Sequence, residues 1–373
     1  MDLLGGGMSL ADYYAALKFR FNRNPSHLIL FVTAGCNARC KHCFYWQEIE
    51  GAPQGNELSL DEICRISTNM GHVKFLSITG GEPSLRNDLP DIIAAFCRNN
   101  QTHNVVLHTN GLLTDKIHDS VVRAAAANPK VEINVSVSID AMAEQHDLIR
   151  GVPGIFTKAI ATLDALNQAK QRHPNINVTV NSCYNAYNRN EVRRLSGYLF
   201  EHHAIDGYYL SWVRGETLDR ESKDVDVRDY LEEISLLQRK SVISRYYRNY
   251  PLASLRRTLD FLAPQVVAET VLNGKMPYPC MAGRSVIVIS ERGEVKPCEM
   301  LKESFGNVRD HDYDVNKMLS TPESAAIKRN IADGKCCCTW ECAVMNNLVF
   351  NWKAYPRVIK TWFVLEFEKR FGR

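Results

Sequence analysis

The chain reads as an α/β protein: an open, partial (β/α)6 barrel of the TIM type, followed by a small C-terminal unit built on a β-hairpin and a helix. Three observations predict this. Six strand–helix units alternate between residues 27 and 215 and into the helical stretch beyond, which argues for a parallel sheet with crossover helices. Six units are two short of a closed eightfold barrel. The polar and glycine-rich motifs fall at the C-terminal ends of the apolar runs, where barrel chemistry collects.

The elements follow in order. Residues 9–22 carry an amphipathic helical pattern with a Ser9 cap, within an N-terminal helical segment 1–26. The first strand covers about residues 27–33, with Leu28 to Val32 as its buried run. A long loop then reaches Glu57. Ser59 and Glu62 form a capping box that opens a helix to about Met70. Val73–Thr79 is the second strand, and a helix runs from Asn87 or Asp88 to Asn99. Val105–Thr109, Val131–Ile139, Ile176–Asn181 and Tyr208–Val213 are the remaining strands. Thr114–Asn128, Phe156–Gln171 and Asn190–His203 are the helices between them. The core thus spans 27–215, a charged helical connector 216–279, and the C-terminal unit 280–373.

Composition narrows the function classes. A net charge of +3 is too small to argue for nucleic acid, and we expect none as a partner. The stretch from Ile234 to Asp260 holds six basic residues and no acid before Asp260, which reads as a solvated helix face. The N-terminus shows no charged n-region or long apolar run, so no signal peptide is expected. No stretch is long and apolar enough to span a bilayer. The aromatic, basic helix at 351–371 is expected to pack across the barrel mouth, with a membrane-surface helix as the alternative. A cytoplasmic protein is the expectation, with no membrane association. Twelve cysteines in a reducing compartment then point to metal binding rather than disulfides. Cys64, Cys97 and Cys183 stand alone and read as small buried hydrophobes.

The loop after the first strand holds Cys36, Cys40 and Cys43 at C-x3-C-x2-C spacing. Three thiolates on one tight loop can bind three corners of a [4Fe–4S] cluster, leaving the fourth iron open. Zinc sites usually close with four N/S ligands in paired C-x2-C spacing, which this loop does not offer. One strand later comes Gly80-Gly81-Glu82-Pro83. The glycines permit positive φ and close backbone approach, and such carbonyls, with Glu82, could hold an ammonium group. Pro83 fixes the turn. Asn110 follows strand three, Asp140 strand four, and Asn181 ends strand five. The latter two could contact a ligand or cap the next helix.

The three-cysteine loop, with the aromatic Phe44 beside its last Cys, resembles the radical S-adenosylmethionine (SAM) superfamily. The resemblance implies a [4Fe–4S] cluster whose open iron is chelated by the SAM amino and carboxylate groups. One electron then cleaves SAM to methionine and a 5′-deoxyadenosyl radical that abstracts hydrogen from a substrate. Gly80 to Pro83 is similar to the family's GGEP motif, which contacts the SAM amino group. Ser138 and Arg150, twelve residues apart, resemble a segment of radical SAM maturases that holds the SAM ribose and carboxylate. An Arg fork suits a carboxylate. The alternative for Arg150 is a helix-end ion pair. His42 is expected to pack near the cluster rather than ligate.

Residues 280–345 resemble the SPASM/twitch extension of the same superfamily, a hairpin and a helix around an auxiliary iron–sulfur cluster. Cys280 and Cys298 lie at the two ends of one hairpin, and Cys336, Cys337, Cys338 and Cys342 follow a helix near 314–331. The full extension carries seven cysteines and two clusters. This chain has six there, three of them consecutive. One auxiliary [4Fe–4S] cluster on Cys280, Cys298, Cys338 and Cys342 is therefore expected, with Cys336 as a substitute for Cys338 and zinc as the alternative metal. Four thiolate ligands would leave no iron for substrate and suit electron transfer or fold stability, which favours a net oxidation; with only three, substrate could coordinate the open iron. An electron donor such as a flavodoxin or ferredoxin is implied. Relatives with this extension act on ribosomally made peptides or on small molecules, including sugars, lipids and tetrapyrroles. A non-catalytic iron–sulfur or zinc scaffold is the reading from another class.

Overall fold

Six parallel strands follow one another across the sheet in chain order in the computed structural model, which describes residues 25–51, 55–241, 253–334 and 337–371. They are β1 (His27–Phe31), β2 (Phe75–Thr79), β3 (Asn104–Thr109), β4 (Glu132–Ser138), β5 (Ile176–Tyr184) and β6 (Gly207–Trp212). Strands covered on both faces read as continuous apolar runs. Leu28 to Phe31 fit this, none of them more than 4% exposed. Helices α1 (Trp46–Glu50), α2 (Leu60–Met70), α3 (Leu89–Asn100), α4 (Thr114–Ala127), α5 (Ala143–Arg150), α6 (Ile155–Lys170) and α7 (Val192–His202) fill the connections. The arrangement is the expected partial barrel. The Ser59 capping box is present: Ser59 Oγ accepts from Glu62 N, and the Glu62 carboxylate accepts from Ser59 N. Helix α5 lacks a side-chain cap and was not anticipated. Strand β5 runs three residues past its expected end, to Tyr184.

The C-terminal hairpin joins the same sheet. Strand β7 (Val286–Ile289) pairs parallel with β1, and β8 (Glu294–Lys296) and β9 (Gly306–Asn307) extend it antiparallel. The nine strands run β6-β5-β4-β3-β2-β1-β7-β8-β9. Helix α8 (Val227–Ser241) packs on the edge strand β6, where Tyr230 Oη donates to Leu210 O at 3.1 Å. Helix α9 (Ala253–Asn273) packs on α8. Short α10 (Val315–Leu319) and α11 (Pro322–Ala332) follow β9. Helix α12 (Glu341–Phe350) packs on both α9 and β7, so a chain of helices links the two sides of the open barrel.

The last helix, α13 (Tyr355–Phe371), lies along α9. Arg357 pairs with Glu269 at 2.6 Å, and Trp362 Nε1 donates to Ser254 Oγ at 2.9 Å. These contacts run to α9 rather than to the loops at the barrel mouth. Among the described residues no helix is long and apolar enough to cross a membrane. The expected N-terminal helix at 9–22, part of the basic run and Cys336 lie outside the described residues.

Candidate metal centre and cofactor site

The cysteine loop is held from three sides. Glu57 accepts from Thr33 Oγ1 and Ala34 N, both at 2.8 Å. The end of α5 supports it where Arg39 N donates to Arg150 O (3.0 Å) and Lys41 N to Ile149 O (2.9 Å). The segment after β6 supports it where Leu218 N donates to Cys43 O and Asp219 N to Lys41 O. This clamps Cys36, Cys40 and Cys43 within electrostatic reach of one another. Burial pushes the Cys36 thiol up to about 11 and Cys43 to about 12. Burial also raises Cys40, against the pull of Arg150, whose Nη1 lies 3.6 Å from its sulfur. Among the described residues no three His, Cys, Asp or Glu side chains could hold one metal ion. A cubane instead places each cysteine on a different iron. Three neighbouring thiols that a bound metal would deprotonate fit that group.

The turn after β2 lies flush against this loop, and its glycines are the reason. Gly80 has φ +134°, and a Cβ there would stand 2.3 Å from Thr33 O. A Cβ on Gly81 would stand 2.1 Å from Gly35 O. In their absence Gly81 N donates to Thr33 O and Glu82 N to Gly35 O, each at 2.8 Å. Glu82 is 1% exposed. It accepts from Thr109 Oγ1 (2.8 Å), Asn110 N (2.7 Å) and Ser84 N (3.1 Å). Glu82 therefore braces the ends of β2 and β3 with donors of the chain itself, a role that sequence reasoning did not assign to it. Pro83 is buried and opens a 3-10 turn. Asn110 Nδ2 donates to Asn37 Oδ1 in the cysteine loop at 2.7 Å.

A buried ion pair stands behind the loop. Arg150 Nε lies 2.6 Å from Asp140 Oδ2, and both side chains are nearly inaccessible. Asp140 Oδ1 accepts from Cys183 N, and Asp140 N donates to His146 Nδ1. Burial opposes charge on Asp140, but Arg150, then His42 and His146, offset it and hold the carboxyl below its usual range. Burial takes His42 and His146 down to about 4. Arg150 thus forms an ion pair, as the alternative reading of that residue had it, while still reaching Cys40. Ser138 ends β4 half-buried, opposite Asn181 of β5. Phe44 faces the Arg214 guanidinium, 4.8 Å from its ring centroid.

The second group is brought together in part. Cys280 and Cys298 are buried, and Cys338 lies within electrostatic reach of both. Cys342 has Glu299, Arg214 and Glu341 as its electrostatic neighbours. Burial raises Cys280 to about 11, and Cys298 and Cys342 to about 12. Cys337 is exposed. A cavity of about 730 Å³ separates the first loop from the hairpin, with Phe31, Phe44 and Tyr45 on one wall and Ser290, Lys296 and Glu299 on the other. Sequence reasoning allowed Arg150 an ion pair without identifying Asp140 as its partner, and it missed the acids that bracket Arg214. The only signal for either was a charged residue at a strand end.

Comparison with known proteins follows the same lines. The Radical SAM superfamily model matches residues 30–194. The AdoMet-dependent heme synthase of Methanosarcina barkeri is 28% identical over 336 residues, covering 84% of this chain and 90% of that protein. The subtilosin biosynthesis protein AlbA of Bacillus subtilis is 24% identical over 306 residues, covering 78% and 59%. The fold is shared with AdoMet-bound anSMEcpe (TM-score 0.59, 19% identity, 92% and 97% covered). It is shared too with SuiB of Streptococcus suis bound to S-adenosylmethionine (TM-score 0.58, 16% identity, 86% and 74% covered). The Cys36–Cys43 loop and the Gly80–Pro83 turn both lie inside the matched stretch, so residues 30–194 form a radical SAM domain.

Proposed function

We propose that this chain is a radical SAM enzyme that abstracts hydrogen from its substrate and completes a net oxidation or cross-link. Cys36, Cys40 and Cys43 would hold the SAM-binding [4Fe–4S] cluster. Gly80, Gly81, Glu82, Pro83, Asn110, Ser138 and Arg150, with Phe44, would form the SAM pocket. Cys280, Cys298, Cys338 and Cys342 would hold one auxiliary [4Fe–4S] cluster. The observation that carries the reading is the juxtaposition of the three-thiol loop with the Gly80–Glu82 turn, whose Gly81 and Glu82 N–H groups bond to Thr33 O and Gly35 O at the start of that loop.

When bound, cluster and SAM supply a hydrogen-abstracting radical. The chain's own residues orient and enclose. Glu82 fixes the strand-end turn through its three hydrogen bonds. Asp140 holds the Arg150 guanidinium beside Cys40. Phe31, Phe44 and Tyr45 line one side of the cavity beside the cysteine loop, and an apolar wall there would limit the access of water to a radical. The electron donor would be a small redox protein such as a flavodoxin or ferredoxin in the cytoplasm.

The substrate in this reading is a peptide. SuiB has been crystallised with its precursor peptide SuiA, and AlbA serves bacteriocin biosynthesis. The heme synthase of Methanosarcina barkeri, matched over 90% of its length, favours a tetrapyrrole as the second reading. The test is anaerobic reconstitution followed by SAM and dithionite. We expect about eight irons per chain, about four in a C36A/C40A/C43A variant, and 5′-deoxyadenosine only from the wild type. Nucleoside formation stimulated by a peptide encoded beside the gene supports the first substrate, and stimulation by a porphyrin supports the second. Iron-loaded protein that neither binds SAM by calorimetry nor forms the nucleoside overturns the enzyme reading in favour of a scaffold. About four irons in the wild type, with nucleoside formed, would make the second cysteine group a zinc or thiol site.

A further inference from the structure

The segment after β6 touches both cysteine groups. Its backbone is pinned to the first, with Leu218 N on Cys43 O (3.1 Å) and Asp219 N on Lys41 O (2.8 Å). Gly215 lets it lie against Phe44: a Cβ there would stand 2.8 Å from the Phe44 Cβ. Arg214 makes the link to the second group. Nη2 lies 3.0 Å from the carboxylate of Glu299, the neighbour of Cys298. Nη1 lies 3.2 Å from Glu341, the neighbour of Cys342, and Glu341 also accepts from Trp212 N at 2.8 Å. Glu299, Arg214, Glu341 and Arg256 are the charges that act on Cys342, in that order of strength. The Arg214 side chain is 20% exposed, and its Nε is buried without a partner among the described residues.

We propose that Arg214 is a positioning residue that raises the reduction potential of the auxiliary cluster and ties that cluster to the SAM site through Phe44. The proposal rests on the second cysteine group holding an iron–sulfur cluster. One-electron reduction adds a negative charge to a cluster, and the net charge and hydrogen bonding around it set its potential. A fixed guanidinium in a poorly solvated site stabilises the reduced form more than it would in water. Glu299 and Glu341 orient the guanidinium and partly cancel its field. A cluster poised to take an electron from a substrate radical needs such a cation. A salt bridge that only fastens the hairpin does not need one beside cysteines.

The test is redox titration of the fully loaded chain with electron paramagnetic resonance detection, on wild type, R214Q, R214K and E299Q. We expect the auxiliary midpoint to fall in R214Q, to stay near the wild-type value in R214K, and to rise in E299Q. The midpoint of the SAM-binding cluster should move less in each. Opposite shifts in R214Q and E299Q cannot come from loosened packing, which would move both the same way. Same-sign shifts, or no shift with about eight irons retained, would leave Arg214 a packing residue and sink the proposal. If R214Q loses iron, the sign of the E299Q shift decides. About four irons in the wild type would instead refute the auxiliary-cluster reading, and this proposal with it, at the iron count before any titration.

Discussion

Gly81 and Asp140 carry the site at the residue scale, and neither needs to touch a ligand to do so. Gly81 is where two strand-end loops meet backbone to backbone, so a single methyl group has no room: 2.1 Å from a carbonyl oxygen is far inside contact distance. Gly81→Ala should therefore displace the cysteine loop, costing about 1–3 kcal/mol as overpacking does. It should also lower the iron bound after reconstitution, as read by melting and iron assay. Asp140→Asn tests the ion pair behind the loop. It would leave Arg150 buried beside Cys40 with its counter-charge removed, and breaking a buried pair this way costs about 3–5 kcal/mol. Denaturant melts measure that loss. A cost under 1 kcal/mol would show that the pair is not what holds Arg150 in place.

The second helix of the barrel shows how one residue of a first turn can serve two purposes. The Ser59–Glu62 capping box satisfies orphan N–H groups at the start of α2, as its sequence pattern implies. The same Glu62 carboxylate also receives Arg309 (2.6 and 3.2 Å) and Tyr313 Oη (3.0 Å) from the segment after β9. The Arg309 hydrogen bond, more than the others, holds Glu62 down to about 2 from 4.5, against the opposing effect of burial. A carboxyl with a depressed folded-state pKa binds fewer protons folded than unfolded. Its contribution to stability is therefore complete above about pH 4.5 and is lost as pH falls toward about 2. The melting difference between wild type and Glu62→Gln should be constant above pH 5 and shrink through that window. A difference independent of pH would contradict the linkage.

At the scale of the whole molecule, β1 is a central strand only because the chain returns to it from more than 250 residues away. β7 pairs along its free edge from His27↔Val286 to Leu30↔Ile289, and Ser285 O accepts from both Ser26 N and His27 N. A chain ending at residue 279 would expose that edge of an apolar strand, a template for aggregation. It would also remove the far wall of the cavity. We expect the truncated chain to be insoluble or to melt without a cooperative transition. A soluble fragment that melts like the full chain would show that β7 is dispensable to the barrel.

Local chemistry made much of this protein legible from its residues alone. The alternation of apolar runs with helical patterns, the Ser59 cap and the C-x3-C-x2-C loop each depend on neighbours a few positions apart, and each stands where the pattern put it. Helix α5 was missed because it is only eight residues long and sits between β4 and α6, where a pattern of one helix per strand leaves no place for it. What stayed hidden depends on contacts between distant parts of the chain. Nothing near Glu82 says that its oxygens will be taken by Thr109 and Asn110, nor does anything near Arg150 choose between a ligand and Asp140. The hairpin after Cys280 is evident as a hairpin, but its place beside β1 rests on an edge that only the folded sheet presents. Arg214 is the clearest case: one charged residue at a strand end, whose two acidic partners lie 85 and 127 positions further on. Periodicity and motif spacing encode what the backbone does over a turn or a strand. Burial, ion pairing and sheet order are settled only when packing brings remote groups out of water together.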